Sequence, residues 1–155
     1  MNRSRAVAAA GLAALLLAIP ALAQEKKLKK SELPAAVQKA VDEQSQGATV
    51  VGFSTEKENG QTIYEAQLTV NGKNRDISFD PKGSVLEVED EVAFDSLPAP
   101  VQDGLKKKAG AGKITKVEAL TKKGKLVAYE AAVLTGAKKS EVQVGPDGKP
   151  LAHEE

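Results

Sequence analysis

One stretch of the chain occurs twice. Gln61 to Asp90, QTIYEAQLTVNGKNRDISFDPKGSVLEVED, is answered by Leu126 to Glu155, LVAYEAAVLTGAKKSEVQVGPDGKPLAHEE. Both carry Tyr-Glu-Ala (Tyr64, Glu65, Ala66; Tyr129, Glu130, Ala131), then Pro81-x-Gly83 or Pro146-x-Gly148, then Leu86 or Leu151. Ahead of them, LPAAVQ from Leu33 matches LPAPVQ from Leu97. The copies stand 64 residues apart at that opening and 65 apart from Gly47/Gly112 onward, so one inserted residue separates otherwise gapless repeats. A unit of roughly 60 residues is marginal on its own. The duplication therefore demands a fold in which two units are stabilised side by side.

Each unit opens with a helix. Pro34 suits the first helical position, and Leu33, Val37, Ala40 and Val41 recur at spacings of three and four. Gly47 ends the pattern, giving a helix over about 34–45. The second helix, near Pro98 to Ala109, contains Pro100 and Gly104, which lower its propensity. Its stability must come from docking on a sheet.

Four strand-like runs follow in the first copy: Thr49–Lys57, Gln61–Val70, Lys73–Asp80 and Ser84–Glu89. Asn59-Gly60 and Asn71-Gly72 are strong hairpin signals, because a type I′ turn needs positive φ at both central residues. Asp80-Pro81-Lys82-Gly83 suits a type I turn. If Asn71-Gly72 is a two-residue loop, Val70 faces Lys73, Leu68 faces Arg75, Ala66 faces Ile77 and Tyr64 faces Phe79. Glu65 then meets Ser78, and Gln67 meets Asp76, on the opposite face. A slip of one residue would bury the acids, so the pattern selects this register. Continuing through the Pro-Gly turn sets Leu86 opposite Ile77. In the second copy, turning at Gly136-Ala137, Val133 faces Ser140, Ala131 faces Val142 and Tyr129 faces Val144. Glu130 meets Gln143, and Ala132 meets Glu141. The prediction is an α+β fold: tandem α-β-β-β-β repeats forming one eight-stranded antiparallel sheet, helices on one face and the other open and polar.

The N-terminus carries a different signal. Arg3 and Arg5, an apolar run from Ala6 to Ile19 and Ala21-Leu22-Ala23 read as a secretory signal peptide over 1–23, too short and wrongly flanked for a membrane anchor. Residues 24–30 are expected as a flexible leader, 31–94 as the first repeat and 95–155 as the second. The mature protein is expected in a bacterial periplasm, with no stable membrane anchor after cleavage. It contains no cysteine, which rules out disulfides, zinc-thiolate sites and cysteine nucleophiles.

Charge divides unevenly. Residues 24–30 carry four Lys and one Glu, residues 31–94 five basic and twelve acidic side chains, and residues 95–155 eleven basic and eight acidic ones. This dipolar distribution is expected either to orient the halves or steer a charged partner, or to reflect no more than solvated faces that drifted apart in composition. Nucleic acid is a poor partner for an exported chain whose lysines do not alternate with stacking aromatics.

No Gly-x-Ser-x-Gly elbow or phosphate-cradling loop occurs, so no catalytic residue and no cofactor is assigned. Glu65 and Glu130 occupy equivalent positions but are expected to face solvent on an open surface, with nothing to perturb them. His153, aligned with Val88 and expected as a partly covered strand-end residue, forms with Glu154 and Glu155 too loose a set for a metal. The candidate binding surface is the open sheet face: Glu65, Gln67, Asp76 and Ser78 from the first copy, with Glu130, Glu141 and Gln143 from the second. Ile63, Ala128, Ala132 and Leu134 add apolar area. Its charge suits a basic or mixed-charge partner, and its lack of anchors suits weak binding. The lysine runs at Lys106–Lys108 and Lys122–Lys125 read as solvated helix-end and turn charges.

Leu-Pro-x-x-Val at the helix start, Tyr-Glu in the second strand and Pro-x-Gly-x-x-Leu before the fourth together resemble the PepSY-like domains, the group likened to β-lactamase-inhibitor protein. The resemblance covers the chain from about Ser31, in tandem. It implies an exported, non-enzymatic domain that inhibits or regulates peptidases or binds other envelope proteins, a peptidase or sensor being the partner. With two Tyr, three Phe and no Trp, and Tyr64, Tyr129 and Phe79 assigned to the core, β-lactamase inhibition itself is not expected. The alternative is a carrier or sensor of a small ligand or cation that uses the acidic first copy.

Overall fold

The computed structural model describes residues 25–58, 60–153 and 155. The expected signal peptide, Asn59 and Glu154 lie outside them. The elements run β1 (Lys26–Leu28), α1 (Ala35–Gln44), β2 (Thr49–Glu58), β3 (Gln61–Val70), β4 (Lys73–Phe79), β5 (Val85–Glu91), α2 (Ala99–Ala109), β6 (Lys113–Lys122), β7 (Lys125–Thr135) and β8 (Lys138–Val144). A short 3-10 turn precedes each helix, at Lys30–Glu32 and Phe94–Ser96. The eight strands form one antiparallel sheet in sequence order.

Each helix docks on its own half of one face. Val37 and Val41 of α1 pack with Ala66, Leu68, Ile77 and Phe79. Val101 and Leu105 of α2 pack with Val117, Ala131 and Val144. Tyr64 and Tyr129 are half-buried against these two clusters. The halves thus keep separate cores but share a sheet, closed where Glu87–Glu91 of β5 pairs with Glu118–Lys122 of β6. The register expected from alternation holds for every pair named above between β3 and β4 and between β7 and β8. Asn71 and Gly72 have φ of 52° and 80°, as the type I′ loop requires.

Four expectations are corrected. The strand partition is not four and four. Residues 26–28, expected within a flexible leader, pair with Phe53–Thr55 and supply the first strand. The second copy contributes only three strands, and His153 is exposed outside any strand. Its terminal segment instead turns at Gly145–Gly148 and brings the Glu155 amide to Gln143 Oε1 at 2.8 Å. Val88, not Leu86, faces Ile77, because a bulge at Ser78/Phe79 shifts β5.

The inserted residue also sits elsewhere. β2 and β6 keep the 64-residue spacing throughout, pairing Glu58 with Gln61 and Lys122 with Lys125. The spacing reaches 65 only past an irregularity that skips Val127 in β7. A β-bulge absorbs an extra residue without ending the ladder, so Gly112 need not mark the boundary. In the corrected alignment Glu118 takes the place of Ser54, both buried.

Candidate functional site: the carboxylate seam of the polar sheet face

Residues directly opposite one another across antiparallel strands point to the same face. On the face away from the helices, four rows cross the sheet. The first runs Ser54, Glu65, Ser78, Glu87, Lys122, and the second Gln67, Asp76, Glu89, Leu120, Ala128. The third runs Glu91, Glu118, Glu130, Gln143, and the fourth Lys116, Ala132, Glu141. All seven sequence-predicted residues lie on this face. They fall into two groups, on β3–β4 and on β7–β8. Between them, on β5–β6, lies a strip that sequence reasoning missed: Glu87, Glu89, Glu91, Lys116, Glu118 and Lys122.

The face is recessed. No described helix or strand lies over it, yet Leu120 is 1% exposed, Ala128 0%, Glu118 4% and Gln143 6%. Of the seven expected residues only Glu141 is exposed. Glu65 and Glu130, expected in solvent and unperturbed, are half-buried, and burial pushes both carboxyls up. Gln67 donates to Glu65 Oε1 at 3.1 Å, and Gln143 to Glu130 Oε2 at 2.7 Å, which partly offsets the loss of water. Three strands separate these two glutamates, about 19 Å at the usual strand spacing. They do not form an acid–base pair.

The densest charge is at the join of the copies. One carboxylate oxygen from each of Asp76, Glu89 and Glu118 lies within 4.8 Å of the other two. Burial raises the Asp76 carboxyl, and the Glu118 charge adds to the effect. Glu89 is pushed up to about 9, first by burial and then by the charges of Glu118, Glu87 and Glu130. Lys116 Nζ stands 2.8 Å from Glu118 Oε1. That oxygen, on a side chain 5% exposed, has a charge partner but no hydrogen bond of good geometry. Although burial opposes it, the surrounding carboxylates keep the Lys116 ammonium protonated to higher pH than usual. Lys122 bridges Glu87 at 3.1 Å and Glu155 at 3.4 Å, so it is not merely a solvated turn charge. Such an arrangement attracts cations and holds protons. It offers no nucleophile beside a base.

Comparison with known proteins follows the same outline. A family model described as beta-lactamase-inhibitor-like and PepSY-like matches residues 22–86 and 62–144. Among curated proteins no sequence matches. A BLIP-like protein from Bacteroides fragilis NCTC 9343 is similar at 20% identity and a TM-score of 0.55, over 77% of this chain and 83% of that one. A DUF2874 family protein from Bacteroides ovatus ATCC 8483 aligns at 18% identity and a TM-score of 0.60, over 77% of this chain and 84% of that one. A protein from Bacteroides eggerthii DSM 20697, inferred to be periplasmic, aligns at 18% identity and a TM-score of 0.60, covering 76% and 84%. At these identities the likeness speaks for the fold.

Proposed function

The chain belongs to the PepSY-like, beta-lactamase-inhibitor-like family, and on that premise we propose that it is an exported, non-enzymatic binding module of the periplasm that engages another envelope protein through its polar sheet face. One observation carries this reading. The sheet packs both helices on one side and leaves the other free of any described helix or strand, with only Glu155 of the terminal segment reaching onto rows of carboxylates and amides that cross it. Side chains on strands keep their spacing better than side chains on loops, which suits a recognition surface. Among the described residues no anchoring aromatic lies on the face, so binding is weak or transient. A peptidase or a sensor protein is the expected class of partner.

The test is capture from periplasmic extract with the mature protein at low salt. Wild-type protein and a helix-face control, Lys107→Glu, retain the same partner, and Glu130→Lys, checked for folding by circular dichroism, loses it. Equal retention by Glu130→Lys, or no partner retained by wild type, would overturn the assignment to this face.

A further inference from the structure

We propose that the free edge of β8 pairs with the same edge of a second copy of this chain, antiparallel and about a two-fold axis, so that two sheets become one. The inference concerns the rim of the sheet and does not rest on the reading of its polar face.

The duplication itself shows that a strand belongs at this edge. In the first copy β5 covers the outer side of β4, from Arg75 opposite Asp90 to Phe79 opposite Val85. The residues 65 positions further on are Ser140–Val144 of β8. β8 is the last strand of the sheet and pairs with no described strand but β7. What lies near it holds the Val144 end: Gly104 of α2 lies against Val144 and Gly148, and the Glu155 amide reaches Gln143. At the other end Lys138, Lys139, Ser140 and Glu141 are all exposed.

The backbone groups left over can be assigned. Asn74, the counterpart of Lys139 in the repeat, turns its amide away from β3 and donates to a Glu91 carboxylate oxygen on β5 at 3.1 Å. Successive residues of an antiparallel strand turn their N–H and C=O to alternate sides. Lys139, Glu141 and Gln143 therefore present theirs to the free edge, and such an edge is a template for another strand.

Charge decides which strand. With Ser140 on the two-fold axis, Lys139 stands opposite the partner copy's Glu141, and Glu141 opposite the partner copy's Lys139. Both side chains lie on the polar face, beside Leu134 and Ala132 of β7. Their outward backbone groups then exchange roughly four hydrogen bonds across the join. The next registers that keep those groups matched set Lys139 on Lys139 or Glu141 on Glu141, and like charges directly opposite are destabilising. The edge at β1 is different. It is three residues long, and Lys26 and Lys27 have no acid beside them in the strand, the usual way a sheet edge is blunted. A contact of one edge with itself closes at two copies. One strand pair buries little surface, so the dimer is weak.

The test is sedimentation velocity of the mature protein from about 10 μM to about 1 mM, with variants confined to these exposed side chains. Wild type should pass from one copy to two over that range, and amide exchange at Lys139 and Glu141 should slow as it does. Glu141→Lys and Lys139→Glu each set like charges opposite one another and should weaken the dimer about tenfold or more. Mixed together, the two variants should associate, because every opposed pair is then again a lysine and a glutamate. The double exchange Lys139→Glu/Glu141→Lys should restore self-association. Wild type that stays single throughout the range would overturn the proposal, as would a dimer unaffected by either single variant or a mixture that stays apart. So would slowed exchange at Lys26–Leu28 in place of β8. A protein that stays single leaves the capture of an envelope partner by the polar face standing.

Discussion

Gly104 in α2 and Gly148 in the last turn meet so closely that neither can carry a side chain. A Cβ on Gly104 would overlap the Gly148 carbonyl oxygen, and a Cβ on Gly148 would overlap the carbonyl of Pro100. The first copy repeats the contact more loosely: a Cβ on Gly83 would come 2.5 Å from the Ala36 carbonyl oxygen, and Ala40 occupies the place of Gly104. The Pro-x-Gly motif is therefore where each copy's last turn seats on its helix.

Gly104→Ala should destabilise the protein by about 2 kcal/mol, since the overpacking penalty exceeds the gain of about 1 kcal/mol that alanine brings to a helix interior. Urea denaturation monitored by circular dichroism measures this. A stabilised Gly104→Ala would show that the turn simply moves away.

Stability should depend on pH through Glu89. Its carboxyl is raised from 4.5 to about 9 in the folded protein, so folding takes up a proton between those values. The contribution is complete below about pH 4.5 and fades as pH rises through 9. Burial shifts Glu65, Asp76 and Glu130 in the same direction, whereas Asp80 and Asp147, held down by backbone hydrogen bonds in their turns, act oppositely in acid. Denaturation midpoints between pH 6 and 9 should fall for wild type and stay flatter for Glu89→Gln. Parallel slopes would refute the assignment.

Lys123 holds a φ of 52° in the hairpin loop between β6 and β7, followed by Gly124 at 74°. Asn71 holds the same φ of 52° in the loop between β3 and β4. Left-handed backbone costs a lysine more than an asparagine. Lys123→Asn should raise stability by about 0.5–1 kcal/mol, read as a higher melting temperature, while Asn71→Lys lowers it.

Leu28 packs against the first core from a strand only three residues long. Leu28→Ala should cost about 1–2 kcal/mol and speed amide exchange at Phe53–Thr55, the residues β1 covers. Exchange at Val117–Ala119 in the other half should be unaltered. Uniform acceleration would mean that the two cores unfold only together.

What could be read from the chain alone was whatever alternation and turns determine. Tyr64, Ala66 and Leu68 point inward because their neighbours Glu65 and Gln67 cannot, and Asn71-Gly72 sets the loop that fixes their partners. The second copy yielded to the same logic around Gly136. The seam did not, because β5 and β6 are joined through a helix and no turn dictates their register. Its acids were nevertheless visible as alternating Glu87, Glu89 and Glu91, a strand pattern whose polar face needed a neighbour. The burial of Glu118 was hidden by the alignment. With the extra residue placed at Gly112 instead of Val127, its counterpart was Phe53 and not the buried Ser54. β1 was missed because a lysine-rich heptad offers no apolar alternation, and only Leu28 reaches the core.

The dry floor made by Leu120 and Ala128 has one more effect. Dissolved ions screen exposed charges more than partly buried ones, and the buried Leu120 and Ala128 close the seam from below. Added salt should therefore act less on the Lys116–Glu118 pair than on the exposed rim at Glu141.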